Sequence, residues 1–159
     1  HLWLSSFFTG EKIEVVKQLM QGKPFFDLAG GALSEGINLA HAVNASGYIN
    51  IEKYYNPREL QNTPLNIAGE KDGVIIQMDI LRFMSQLNPV EGTFMINAVD
   101  LALIPNSNYH EMLAKEFSRV LKPGSILFGI NAEVLAHLDL DDFESLIDII
   151  PGNSMFMRK

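Results

Sequence analysis

The chain predicts an α/β fold, a three-layer α/β/α sandwich around a mostly parallel sheet. Three observations carry this. Short apolar runs alternate with helical patterns along the whole length, the order that places parallel strands between covering helices. One run, Pro24-Phe25-Phe26-Asp27-Leu28, passes through the small-residue turn Ala29-Gly30-Gly31 into a helical pattern at Ile37, Leu39, Ala40 and Val43, which reads as strand, tight loop, helix. The next two runs each finish on an acid, Glu52 and Asp79.

In chain order, residues 1–23 read as an N-terminal arm and a covering helix. Thr9 and Gly10 precede a pattern in which Ile13, Val16, Leu19 and Met20 share one face; Glu11 suits the first turn, Gly22 closes the helix and Pro24 prevents its return. Trp3, Leu4, Phe7 and Phe8 make the arm amphipathic, so it is expected to dock on the body, over the site or at an interface. After the glycine loop a helix is predicted over 33–45, ended by Ser46-Gly47, then a short alternating strand at Tyr48-Ile49-Asn50-Ile51-Glu52. Asn56-Pro57 places a cap and then a proline at the first position of a short helix. Pro64, Gly69 and Gly73 make 61–73 a loop. Gly73 to Asp79 is apolar on both faces, as a buried parallel strand requires.

A helix over 80–87 and a strand over 93–98 follow. Between Ser107 and Leu121 the periodicity is clearest, with Tyr109, Met112, Leu113, Phe117, Val120 and Leu121 on one stripe, stopped by Lys122-Pro123-Gly124. A fifth strand is predicted over 125–130. Helical material then runs from Ala132 to Ile149 with a break near Asp139, and Pro151-Gly152-Asn153 turns the chain toward a last strand at Met155-Phe156-Met157. The expected organisation is one domain over 1–159, with a cofactor-binding core at 24–131 and C-terminal helices and a last strand at 132–159.

Composition narrows the function. Cysteine is absent, which excludes disulfides, thiolate metal sites and a cysteine nucleophile, and fits a reducing, cytoplasmic setting. A formal charge of −7 and a pI near 5.0 argue against a nucleic-acid or anionic-membrane surface, because either needs clustered Lys and Arg. No apolar run approaches the ~18 residues of a membrane span. A small soluble molecule is the expected partner.

In a parallel sheet the ligand sits beyond the carboxyl ends of the strands, where strand order reverses. The loop Ala29-Gly30-Gly31 allows close approach of backbone N–H groups, and the helix behind it adds unpaired donors, an arrangement suited to polar or anionic cofactor groups. Glu52 at a strand end can accept from two vicinal ribose hydroxyls, and Asp79 from an exocyclic amine. Each acid also suits the plainer role of capping the next helix. His110, expected at an exposed helix start, could serve as general base for an acceptor hydroxyl. His41 and His137 lack partners at ligand spacing, and Asp139, Asp141, Asp142, Glu144 and Asp148 lack the pattern of a calcium loop. These acids read as capping and solvated, and no metal site is expected.

Together these residues resemble a class I (Rossmann-like) S-adenosylmethionine-dependent methyltransferase over roughly 10 to 131. Asp27-Leu28-Ala29-Gly30-Gly31 is similar to the family's first motif, Tyr48 to Glu52 to its ribose-binding motif, and Val74 to Asp79 to its third. Phe94, Asn97, Asp100 and Ile104, followed by Arg119-Val120-Leu121-Lys122-Pro123-Gly124, resemble the motifs at and after the fourth strand, the Lys-Pro-Gly turn being the most specific. The resemblance implies S-adenosyl-L-methionine as cofactor and methyl transfer by direct displacement at sulfonium. It implies that Asp27 and Ala29 to Gly31 form the loop against the methionine part, Glu52 holds the ribose with Lys53 beside the adenine, Asp79 and Ile80 contact the adenine, and Asn97 faces the methionine end or the acceptor.

Three departures stand out. Leu33 occupies the place of a third glycine, narrowing the pocket or packing under the helix. Asn97-Ala98-Val99-Asp100 lacks the Asn/Asp-Pro-Pro-aromatic signature of enzymes that methylate amide or base nitrogens. Only about 28 residues follow the fifth strand, where family members commonly add two strands ending in an antiparallel hairpin; a shortened C-terminus leaving an unpaired edge would favour a homodimer. A catalytically inactive methyltransferase-like binding or assembly module is the alternative reading. A nicotinamide-dependent oxidoreductase is weaker, because the loop does not spell Gly-x-Gly-x-x-Gly.

Overall fold

Apolar runs become parallel strands where helices cover the faces of the sheet. The computed structural model describes residues 11–28, 35–52, 73–96, 107–130, 132–146 and 155–159. Its strands are β1 (Pro24–Leu28), β2 (Gly47–Ile51), β3 (Gly73–Ile76), β4 (Thr93–Ile96), β5 (Ile126–Phe128), β6 (Phe143–Ser145) and β7 (Met155–Arg158). They form one sheet in the order β3-β2-β1-β4-β5-β7-β6. β1 to β5 pair in parallel, whereas β7 runs antiparallel to both β5 and β6.

The helices are α1 (Glu11–Met20), α2 (Glu35–Ala42), α3 (Ile80–Gln86), α4 (Ser107–Val120) and the short α5 (Ala132–Leu135). Side chains alternate across a strand, and the core divides accordingly. On one face Phe25, Tyr48, Met95 and Phe128 pack with Val16 and Met20 of α1 and Ile37 and Ala40 of α2. On the other, Phe26, Leu28, Ile51, Phe94 and Ile96 pack with Met84 of α3, Leu113 and Phe117 of α4 and Val134 of α5. Phe94 stacks on Phe26 (4.6 Å, 9°) and meets Phe117 edge-on (6.2 Å, 83°), so the aromatic residues join two strands to α4. The expected three-layer sandwich is the observed architecture.

Several boundaries differ from the sequence reading. α2 stops at Ala42, because Asn44 takes a left-handed conformation (φ 53°) while Ala45 N–H bonds to Ala40 O and Asn44 N–H to His41 O, a helix-ending pattern that leaves Gly47 to begin β2. β3 is shorter than its apolar run and lies at the end of the strand order, with Val74 48% exposed. It is therefore an edge strand and not one buried on both faces. In α4 the buried stripe is His110, Leu113, Ala114, Phe117 and Val120, continued by Leu121 just past the helix, and Met112 is turned to solvent.

The largest difference lies after β5. The helix predicted from Ala132 to Ile149 gives way after Leu135 to a 3-10 turn (Leu140–Asp142) capped by Asp139, which accepts from Asp141 N–H, and then to β6. Pairing with β7, tied down by an Arg158–Asp142 ion pair (3.1 Å) and by Arg158 over the Phe143 ring, makes this stretch a strand. The short C-terminal stretch thus holds both strands of the hairpin, including the expected strand at Met155. The arm at Trp3 to Phe8, the helix start at Asn56 and Leu33 lie outside the described residues.

The turn after α4 acts as a junction. Arg119 Nη2 donates to Met84 O at the end of α3 (2.7 Å), Lys122 N–H to Val90 O, Gly124 N–H to Arg158 O, and Gly92 N–H to Ser125 Oγ. It joins α3, the start of β4 and β7. No helix of the described residues is long and apolar enough to cross a membrane.

Candidate cofactor site at the carboxyl edge of the sheet

The register places Leu28, Ile51, Ile76 and Ile96 side by side at the carboxyl ends of β1, β2, β3 and β4. Strand order reverses between β1 and β4, so a crevice is expected there. The segments that follow Leu28 and Ile96, and the one that follows Glu52, lie outside the described residues; they contain Ala29, Gly30, Gly31, Lys53 and Asn97. Asp27, Glu52, Asp79, Ile80 and His110 can be placed.

Asp27 sits one residue before the edge and turns toward α2, almost wholly buried. Its Oδ2 accepts a short hydrogen bond from Tyr48 Oη. Above this pair lies Gly36, in the first turn of α2, where a Cβ would come within 2.8 Å of Asp27 Cγ and 3.0 Å of Tyr48 Oη. Gly36 is thus the glycine that lets helix and strand approach. The sequence reading notes only that Leu33 stands where the resemblance puts a third glycine. The available signal was a glycine opening a helix whose buried face otherwise reads Ile37, Leu39 and Ala40.

Glu52 follows β2 directly and is 7% exposed, with its N–H bonded to Ile76 O (3.0 Å). The last parallel bond of the β2–β3 ladder fixes where its side chain leaves the sheet.

Asp79 does cap a helix, as its plainer reading held. Its Oδ2 accepts from Arg82 N–H (3.1 Å) at the start of α3, and its Oδ1 accepts from Tyr109 Oη (3.0 Å) on the first turn of α4. Tyr109 Oη accepts in turn from Leu81 N–H (3.4 Å). Burial, and next the neighbouring Asp79 carboxylate, push the Tyr109 phenol well above its ordinary range, so it remains a donor. Ile80 buries its side chain in the core beneath this junction. Tyr109 was read from the sequence only as part of an apolar stripe, because nothing local announces a partner about 30 residues away.

His110 corrects the expectation of an exposed helix start. It is 5% exposed, and its Nε2 has no hydrogen-bond partner among the described residues. The stripe of α4 is rotated so that His110 sits one turn before Leu113 and Ala114. No grouping of three His, Asp or Glu side chains suited to a metal occurs among the described residues.

No family model and no curated protein matches the chain. Solved structures do. TrmN from Thermus thermophilus superposes with a TM-score of 0.61 over 98% of this chain and 48% of its own, at 9% identity. A S-adenosylmethionine-dependent methyltransferase from Clostridium acetobutylicum gives 0.54 over 73% and 45%, at 16% identity. Another from Thiobacillus denitrificans, solved in complex with S-adenosyl-L-homocysteine, gives 0.50 over 76% and 48%, at 15% identity. The chain has the class I methyltransferase fold. It spans just under half the length of these three proteins. In this methyltransferase fold, Glu52 directly follows the second strand and Asp79 caps the helix after the third, on the side of the sheet away from β4 and β5.

Proposed function

We propose that the chain binds S-adenosyl-L-methionine along the carboxyl edge of the sheet and directs its methyl group to a small-molecule acceptor. The observation that carries this reading is Glu52, a nearly buried residue placed by the last rung of the β2–β3 ladder at the end of β2, next to β1, where strand order reverses. A carboxylate at this position can accept from both vicinal hydroxyls of a ribose. The donor set fits the cofactor: its nucleoside end offers hydroxyls and an amine, and the chain offers the acceptors Glu52 and Asp79. Asp79 uses one lone pair of each oxygen within the protein and keeps others for the amine.

When bound, the cofactor supplies an electrophilic methyl group on sulfonium. The chain's part is to hold and align. Glu52 orients the ribose, Asp79 the base, and the backbone of Ala29 to Gly31 the methionine part, with Asp27 supporting that loop from beneath α2. Lys53 and Ile80 border the adenine, and Asn97 and His110 are assigned to the acceptor side. Catalysis rests on alignment and on exclusion of water.

Calorimetric titration with S-adenosylhomocysteine tests the reading. One-to-one binding is expected, weakened about tenfold or more in Glu52→Gln, the scale of a lost charge-assisted hydrogen bond. No heat and no thermal shift at millimolar ligand would overturn it.

A further inference from the structure

Tyr109 joins the starts of α3 and α4, the two helices flanking the proposed adenine position. We infer that Tyr109 is a positioning residue for the nucleobase end of the site, making it selective for an amino over an oxo purine; this rests on the cofactor reading above.

The geometry is specific. Asp79 Oδ2 is held by Arg82 N–H at 3.1 Å and Oδ1 by Tyr109 Oη at 3.0 Å. A carboxylate held at both oxygens cannot turn about its Cβ–Cγ bond, so its remaining lone pairs keep one direction. Tyr109 is itself fixed, because its hydroxyl also accepts from Leu81 N–H and because Arg119 clamps α4 to the end of α3 through Met84 O. Its phenol, raised by burial and by the neighbouring carboxylate, stays protonated and donates to Asp79 Oδ1. An exocyclic amine satisfies a carboxylate of this kind, whereas a purine carbonyl oxygen would face it lone pair to lone pair. With Tyr109 removed, the carboxylate gains freedom to swing, and discrimination falls.

The experiment compares S-adenosylhomocysteine with S-inosylhomocysteine, in which oxygen replaces the amine, by calorimetry on the unaltered chain, Tyr109→Phe, Asp79→Asn and the double variant. The unaltered chain is expected to favour the amino ligand by about tenfold or more. Tyr109→Phe is expected to cut that ratio at least fivefold, mainly through weaker binding of the amino ligand. In the Asp79→Asn background, Tyr109→Phe is expected to change the ratio less than twofold, since the group it orients is already gone. Equal weakening of both ligands in Tyr109→Phe would reduce Tyr109 to a packing role and overturn the inference while leaving the cofactor reading intact. An unchanged ratio in Asp79→Asn overturns it too, whether or not Tyr109→Phe folds. Failure of the unaltered chain to bind S-adenosylhomocysteine removes the cofactor reading and the inference together.

Discussion

Replacing Gly36 by alanine tests the packing that supports the first loop. An added Cβ would lie 2.8 Å from Asp27 Cγ and 3.0 Å from Tyr48 Oη, well inside the ~3.5–4.0 Å of ordinary carbon contact. Neither neighbour can yield cheaply, because Asp27 and Tyr48 are both buried and bonded to each other. Overpacking of this kind costs about 1–3 kcal/mol, and disturbing a hydrogen bond to a buried carboxylate about 1.5–3 kcal/mol more if it breaks. Alanine returns about 1 kcal/mol over glycine through helix propensity. The expected balance is a loss of about 2–3 kcal/mol, which lowers the melting temperature by about 5–10 °C for a chain of this size.

Urea denaturation of Gly36→Ala beside Asn38→Ala, an exposed position on the same helix, separates the clash from propensity: the second change should be neutral or stabilise slightly. In a Tyr48→Phe background, the cost of Gly36→Ala should shrink, because Tyr48 Oη, one of three obstructing atoms beside Oδ2 and Cγ of Asp27, has gone. A Gly36→Ala protein as stable as its parent would refute the claim that α2 rests directly on the Asp27–Tyr48 pair.

Two further outcomes are expected. Phe94→Ala removes the ring that stacks on Phe26 and meets Phe117 and should cost about 3–5 kcal/mol; a loss below about 1 kcal/mol in denaturant titration would mean that these contacts do not hold the sheet to α4. The raised Tyr109 phenol gives stability that is fully present below about pH 10, the ordinary phenol value, and is lost as the pH rises from there toward the folded value, since the unfolded chain releases that proton first. Tyr109→Phe should therefore show a shallower alkaline fall in stability than the unaltered chain, and identical slopes would contradict the burial of that hydroxyl.

The strand-helix order, the ends of α1 and the acids at the strand ends were legible because each leaves a local mark: period, Gly22 and Pro24, or a carboxylate after an apolar run. The turn at Lys122-Pro123-Gly124 was legible as well, but its reason was not. Arg119, Lys122 and Gly124 bond to Met84, Val90 and Arg158, partners that no local pattern reveals.

The sequence by itself determined the class of fold and the order of strands and helices, because hydrophobic period and turn chemistry act over a few residues. Tertiary structure alone decided what depends on partners far along the chain. It made Phe143–Ser145 a strand, since only pairing with β7 offers its backbone a ladder. It rotated α4 so that His110 is buried and Met112 exposed. It assigned the close approach to Gly36, and it brought Tyr109 to Asp79, because a contact between two helix starts is set by how the layers pack and not by the residues beside either one.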